Sequence, residues 1–185
     1  MQFIQNIDTA ILMFIQNHFT SPLADSFMVA ITSVGNAGAL WIAITLIFLV
    51  SKKYRKYGLM LFASLVLCSI IGNLGIKPLV ARPRPYNFDD SITLLIDKPR
   101  DFSFPSGHTM VSFASATIIY YMNRKLGVIT DILAALIAFS RLYLYVHYPS
   151  DVLAGLIIGI LISKFVIKVE QAYRIKKHSE KNVKM

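Results

Sequence analysis

Cysteine is nearly absent. Cys68 is the only one in 185 residues, which excludes an intramolecular disulfide and any cysteine-built metal site. Charge is scarce too: Asp, Glu, Lys and Arg make up 16% of the chain against 55% hydrophobic residues, and the mean hydropathy is +0.57. A soluble domain carries about 25% charged residues, so this composition describes an integral membrane protein. Acidic residues are the rarest charged class, 10 against 19 Lys and Arg, for a net charge of +9. In a soluble protein that excess would point to nucleic acid. Here Lys52, Lys53, Arg55, Lys56, Arg124, Lys125, Arg174, Lys176, Lys177, Lys181 and Lys184 all flank apolar segments, as topology determinants do. No nucleic-acid partner is expected. No Lys or Arg precedes Lys52, so the basic start of a cleaved signal peptide is missing and the spans must act as insertion signals.

What is present is a series of apolar runs. Phe3, Ile4, Ile7, Ile11, Leu12, Phe14 and Ile15 recur at roughly helical spacing among polar residues, which predicts an amphipathic helix at the interface. The run from Phe27 to Val50 is broken by Ser33, Gly35, Asn36 and Gly38. It reads either as one bent span or as a shallow helix followed by a span from about Ala39. Further spans are expected from about Leu59 to Ile76, Ser106 to Met122, Val128 to Tyr145 and Asp151 to Val169, near the length that crosses a hydrocarbon core of about 30 Å. Five of the seven prolines fall between Pro78 and Pro105, and proline so dense cannot sustain a spanning helix. That segment is an ordered loop. Gly155 and Gly159 form a Gly-x-x-x-Gly pair, expected as a close-packing face inside the bundle.

The fold class is therefore all-α and membrane-embedded, with about five transmembrane helices after the amphipathic N-terminal helix. Residues 1–170 form a single membrane domain and 171–185 a basic, mobile tail. Positive-inside logic puts the three basic clusters in the cytoplasm, with the C-terminus among them. Lys77, Arg82, Arg84, Ser106, His108, Arg141, His147 and Asp151 then come together at the outer face.

Their chemistry is coherent. Pro105-Ser106-Gly107-His108 leads into an apolar helix, and the free N–H groups of a helix start favour an anion. Lys77, Arg84 and Arg141 can neutralise the non-bridging oxygens of a phosphoryl group. Asp151, four residues after His147, can fix one ring nitrogen and leave the other free as a nucleophile. His108 can then protonate a leaving oxygen and later activate water. One imidazole must start neutral and the other protonated, so a bell-shaped pH dependence is expected. Asp89, Asp90, Asp97 and Asp101 are dispersed along the loop, so the clustered carboxylates of a Mg²⁺ site are missing. No metal or other cofactor is expected.

Lys77, six residues, Arg84-Pro85; Pro105-Ser106-Gly107-His108; and Ser140-Arg141, five residues, His147, three residues, Asp151 together resemble the three-part signature of the type 2 phosphatidic acid phosphatases. Vanadium haloperoxidases share that superfamily. The resemblance implies an all-helical core and metal-independent phosphate removal through a phosphohistidine. By that resemblance His147 is the nucleophile, Asp151 its orienting partner and His108 the acid and base. Lys77, Arg84, Ser106, Gly107 and Arg141 match the phosphate-binding positions. Arg82 falls outside the signature; a second phosphate or a lipid headgroup is within its chemistry, and its role stays open. Small bacterial members with this outline are often undecaprenyl-diphosphate phosphatases, so the expected partner is a membrane lipid carrying phosphate. Phosphatidylglycerol phosphate, phosphatidate and diacylglycerol pyrophosphate are competing substrates. A phosphate-binding transporter and a haloperoxidase are readings from other classes. The oligomeric state stays open.

Overall fold

Long apolar runs dominate the chain, and no strand forms among the residues described, 2–89 and 92–183, in this computed structural model. Asp90 lies outside the described residues. Helix α1, Gln2–Phe19, turns Asp8, Leu12 and Ile15 inward and leaves Phe3, Ile4, Ile7 and Phe14 exposed. Such an apolar outer face suits lipid contact. Helix α2, Pro22–Val34, starts at Ser21, whose Oγ accepts from the Ala24 N–H at 3.3 Å, with Pro22 in the first turn. A 3₁₀ turn at Asn36–Gly38, with Gly38 at φ +68°, joins it to α3, Ala39–Val50. The two helices are bent by 41°. The break falls at the glycines and Asn36 that interrupt the apolar run.

Helix α4, Arg55–Cys68, continues as a π-helical stretch, Ser69–Ile76, into the short α5, Lys77–Val80. After the loop come α6, Gly107–Met122, α7, Arg124–Tyr143, and α8, Pro149–Val183. Three segments are long and apolar enough to cross a membrane, Arg55–Asn87, Arg124–Tyr143 and Pro149–Glu180, and the α2–α3 pair would be a fourth. Length and apolarity alone thus stop short of the expected five. The remaining helix, α6, has 16 residues and is only about 24 Å long. It buries Thr109, Ser112, Ala114, Ser115 and Ala116, small and hydroxyl side chains suited to helix contact rather than lipid. It runs through the centre, packed on α4, α7 and α8.

The Gly-x-x-x-Gly pair sets that packing. A Cβ on Gly155 would lie 2.6 Å from the Ser106 carbonyl oxygen, and one on Gly159 would lie 2.3 Å from that of Met110. Only glycine lets α8 come so close to α6. Trp41, fully buried on α3, packs with Ile119 and Ile137 and donates its indole N–H to Ser112 Oγ at 2.9 Å, which locks α3 to the same central helix.

The three basic clusters share one end. Lys56 pairs with Glu170 at 3.6 Å, and Tyr121, at the end of α6 beside Arg124, accepts from Gln171 Nε2 at 3.4 Å. From Pro149 to Glu170 a helix rises about 32 Å, close to one hydrocarbon thickness. The segment expected as a mobile tail is the continuation of α8, helical to Val183. No Pro or Gly interrupts it, and Glu170 pairs with Arg174 one turn on at 3.8 Å.

Candidate active site

At the opposite end, the loop and helices α2 to α7 enclose a cavity of about 810 Å³ lined by Lys77, Arg84, Asp101, Gly107, His108, Arg141 and His147. Residues separated by up to seventy positions in the chain thus face one space. Ser106 and Asp151 do not line it; both are fully buried, and the Ser106 N–H donates to the Asp151 backbone carbonyl at 3.0 Å. That bond ties the start of α6 to the start of α8. Ile42, Leu65 and Val111 of the bundle and Leu95 and Ile96 of the loop also line it, so the cavity has apolar as well as charged walls.

The π-helical stretch brings a row of polar groups to this wall. Ser69, Asn73 and Lys77, four residues apart, all line the cavity. π-helical turns recur at functional sites. Gly107 sits against this row, for a Cβ there would lie 3.2 Å from Asn73 Oδ1.

Two of the cations share a carboxylate that the sequence pattern left unassigned. Asp101 pairs with Lys77 Nζ, and its Oδ1 accepts from Arg84 Nη2 at 2.6 Å. Burial alone would raise the Asp101 carboxyl, but the hydrogen bond and charge of Lys77 together with Arg84 outweigh it and hold the pKa at about 2. Arg141 differs. It is 2% exposed, Nη1 donates to Thr32 Oγ1 at 2.5 Å, and its Nε has no partner among the described residues. A buried guanidinium without a carboxylate is costly unless an anion joins it.

The geometry fixes the tautomer of His147. Arg84 Nη1, which can only donate, lies 3.2 Å from His147 Nε2. Nε2 therefore accepts from Arg84 on the cavity wall and Nδ1 carries the proton. Nδ1 faces Asp151 Oδ2 at 3.6 Å, with Ser103 Oγ 3.5 Å from Nδ1 and donating to Oδ2 at 2.5 Å. The expected His147–Asp151 pair is present, but longer than a hydrogen bond and bridged by a serine. The reason is local: Asp151 is on α8, whereas His147 sits in the preceding turn after Tyr145 at φ +58°. Burial pushes the His147 pKa down to about 3, helped by Arg84 and Arg141 and opposed by Asp151. The ring is neutral at physiological pH. His108 Nε2 contacts Asn36 Oδ1 at 3.2 Å, which places the α2–α3 break at the mouth.

Arg82 finds its partners within the protein. It does not line the cavity; Nη1 donates to Asp151 Oδ1 at 2.6 Å and Ser150 Oγ at 2.7 Å, while Nη2 donates to Gln5 Oε1 and Asp8 Oδ2, each at 2.7 Å. With every terminal nitrogen engaged on protein, it is not a contact for a second phosphate or a headgroup. Besides Asp101, sequence reasoning missed Ser103, Asn73, Thr32 and Asp8. Asp101 and Ser103 stand just before Pro105-Ser106-Gly107-His108 and were within reach; Asp8, on a helix read as a surface element, was not. Among the described residues, no three His, Cys, Asp or Glu side chains gather as a metal site would require.

A neutral, buried imidazole with its lone pair among cations, set in an apolar helical bundle, has the chemistry that phosphoryl transfer requires. The chain belongs to the PAP2 superfamily, which its residues 53–175 match, and it is a lipid phosphatase, a phosphoric ester hydrolase of the membrane. It is 37% identical over 139 residues to an undecaprenyl-diphosphatase of Sulfolobus acidocaldarius, covering 75% of this chain and 67% of that one. It is 30% identical over 172 residues to a lipid A 4'-phosphatase of Bacteroides thetaiotaomicron, covering 85% and 74% respectively. A solved PAP2-type phosphatidylglycerolphosphate phosphatase from Bacillus subtilis superposes with a TM-score of 0.78 at 25% identity, covering 93% of this chain and 88% of its own.

Proposed function

We propose that this chain hydrolyses a polyprenyl diphosphate, undecaprenyl diphosphate foremost, to the monophosphate and inorganic phosphate. The similarity to the undecaprenyl-diphosphatase supports the substrate. In this reading His147 Nε2 attacks the terminal phosphorus, and His108 gives a proton to the departing lipid phosphate. His108 then takes a proton from the water that cleaves the phosphohistidine. Lys77, Arg84, Arg141 and the Ser106-Gly107 helix start bind the phosphoryl oxygens, and Asp151 orients His147. The observation that carries the reading is Arg141: it is buried on the wall shared with His147, and its Nε has no hydrogen-bond partner among the described residues, which suits a guanidinium that binds phosphate.

The same reading puts the site on the extracytoplasmic face and the C-terminus in the cytoplasm. Its support is charge: the basic clusters lie at the Lys56–Glu170 end, roughly a hydrocarbon thickness from the cavity, and cytoplasmic loops are rich in Lys and Arg. The apolar wall of Ile42, Leu65 and Val111 suits a lipid whose chain stays in the bilayer while its phosphates meet the cations.

The test is phosphate release by purified protein in detergent with EDTA, across undecaprenyl diphosphate, phosphatidylglycerol phosphate, phosphatidate and diacylglycerol pyrophosphate. Fastest turnover on the polyprenyl diphosphate, insensitive to EDTA and reduced at least about 1000-fold in His147→Ala, is the expected result. A faster phospholipid would replace the substrate. Turnover retained by the mutant would remove His147 as nucleophile.

A further inference from the structure

Outside the stretch that matches the PAP2 superfamily, α1 contributes one buried carboxylate, and it is wired to the catalytic end. Asp8 is 2% exposed. Its Oδ1 accepts from the Ser150 N–H at 2.9 Å, and its Oδ2 accepts from Ser150 Oγ at 2.5 Å and from Arg82 Nη2 at 2.7 Å. It thus caps the first turn of α8 from another helix, where the free N–H groups and the dipole favour a carboxylate. Arg82 then spans from Asp8 to Asp151 Oδ1, and its guanidinium lies over the Tyr148 ring, 3.9 Å from the centroid. An arginine can bridge two carboxylates because its fork is rigid and planar.

We infer that Asp8 and Arg82 are positioning residues for the phosphatase reaction, acting through Asp151 on His147. The inference rests on the reading of His147 as nucleophile. Asp151 has two oxygens with different work. Oδ2 takes the Ser103 hydroxyl and the Tyr148 N–H, at 2.5 and 2.9 Å, and faces His147 Nδ1 at 3.6 Å. Oδ1 is held by Arg82. Without that hold the carboxylate can rotate, and Oδ2 leaves the line between Ser103 and the imidazole. Asp8 in turn keeps Arg82 over Tyr148 and balances its charge. Neither residue lines the cavity, so both should affect the chemical step and leave lipid binding alone. The N-terminal helix is thereby part of the catalytic apparatus rather than only a membrane contact.

Steady-state kinetics of the full chain in detergent on the preferred lipid phosphate, with Arg82→Gln, Asp8→Asn and the double variant, tests this. Expected is a kcat lowered about 10- to 100-fold in Arg82→Gln, in the range seen when outer partners of an active-site ligand are removed. Asp8→Asn should lose less, KM should stay within about twofold in both, and the double variant should be no slower than Arg82→Gln, as coupled residues require. Arg82→Lys, which keeps the charge but not the fork, should fail to restore kcat. A raised KM with unchanged kcat would overturn the inference, because it would make Arg82 a substrate contact. Unchanged kcat, or multiplicative losses in the double variant, would overturn it too. If Arg82→Gln does not yield monodisperse protein, the nearly isosteric Asp8→Asn decides: its kcat must fall at constant KM and constant melting temperature. His147→Asn run beside these separates the two readings, since turnover surviving there removes the nucleophile assignment whatever Arg82 does.

Discussion

Ser103 stands between His147 and Asp151, its hydroxyl 3.5 Å from the imidazole Nδ1 and 2.5 Å from the carboxylate Oδ2. Since the hydroxyl donates to the carboxylate, its own oxygen is left to accept from Nδ1–H. Ser103→Ala removes that bridge and leaves the carboxylate 3.6 Å away. A hydrogen bond to a charged group contributes about 1.5–3 kcal/mol, so kcat should fall roughly tenfold or more. Single-turnover phosphate release is the measurement, and an unchanged rate would mean that His147 needs no bridge.

Asp101 pairs with Lys77 and Arg84, two of the cations proposed to bind phosphate. Asp101→Asn lifts that competition. Inhibition by inorganic phosphate or vanadate should tighten about tenfold, the equivalent of 1.4 kcal/mol, and a dose–response curve on the two proteins reads it directly. Unaltered inhibition would show that Asp101 stays in place when the anion binds.

Acid should unfold the protein in two windows. Native His147 titrates near 3 rather than 6.5, so between those values the unfolded chain binds more protons, and stability falls as the pH drops below about 6.5. Asp101 titrates near 2 rather than 3.8, so its contribution is present above 3.8 and is lost as the pH falls towards 2. Melting temperatures between pH 7 and pH 4 should therefore decline for the wild type and less steeply for His147→Asn.

Gly159→Ala places a methyl group 2.3 Å from the Met110 carbonyl oxygen. Backbone cannot yield there without separating α6 from α8. A loss of about 1–3 kcal/mol is expected, seen as a lowered melting temperature in detergent, together with lost activity because the same interface joins Ser106 to Asp151. A wild-type melt would show that the helices can shift apart freely.

Orientation can be read with one thiol. In a Cys68→Ser background, Lys98→Cys in the exposed loop should react with an impermeant reagent from outside intact cells, and Lys53→Cys should not. Labelling in the reverse pattern would invert the topology.

Much of the site was legible because its residue types are rare in apolar surroundings. Cations, imidazoles and a Pro-Ser-Gly-His turn at the ends of hydrophobic runs declare themselves, and Lys77, Arg84, Gly107, His108, Arg141 and His147 do face one cavity. The glycine pair of α8 was legible as close packing for a similar reason, since small residues four apart make a flat stripe. The role of Arg82 was open in the sequence, because an extra arginine beside a phosphate motif has no partner there, and only the position of Asp8 shows where it is engaged. The π-helical row of Ser69 and Asn73 carries no signal in composition or periodicity.

The sequence by itself determined that the chain is helical, membrane-bound and supplied with phosphate-handling residues, because hydropathy, proline density and motif spacing are local properties. The tertiary structure decided which charges are free and which are spent. Asp8 meets Arg82 across 74 positions, Arg141 meets Thr32 across 109, and Asp101 neutralises the two cations on either side of it in the pocket. Pairing of buried charges depends on distances of a few ångströms in a low-dielectric interior, and those distances are set only when the helices have packed.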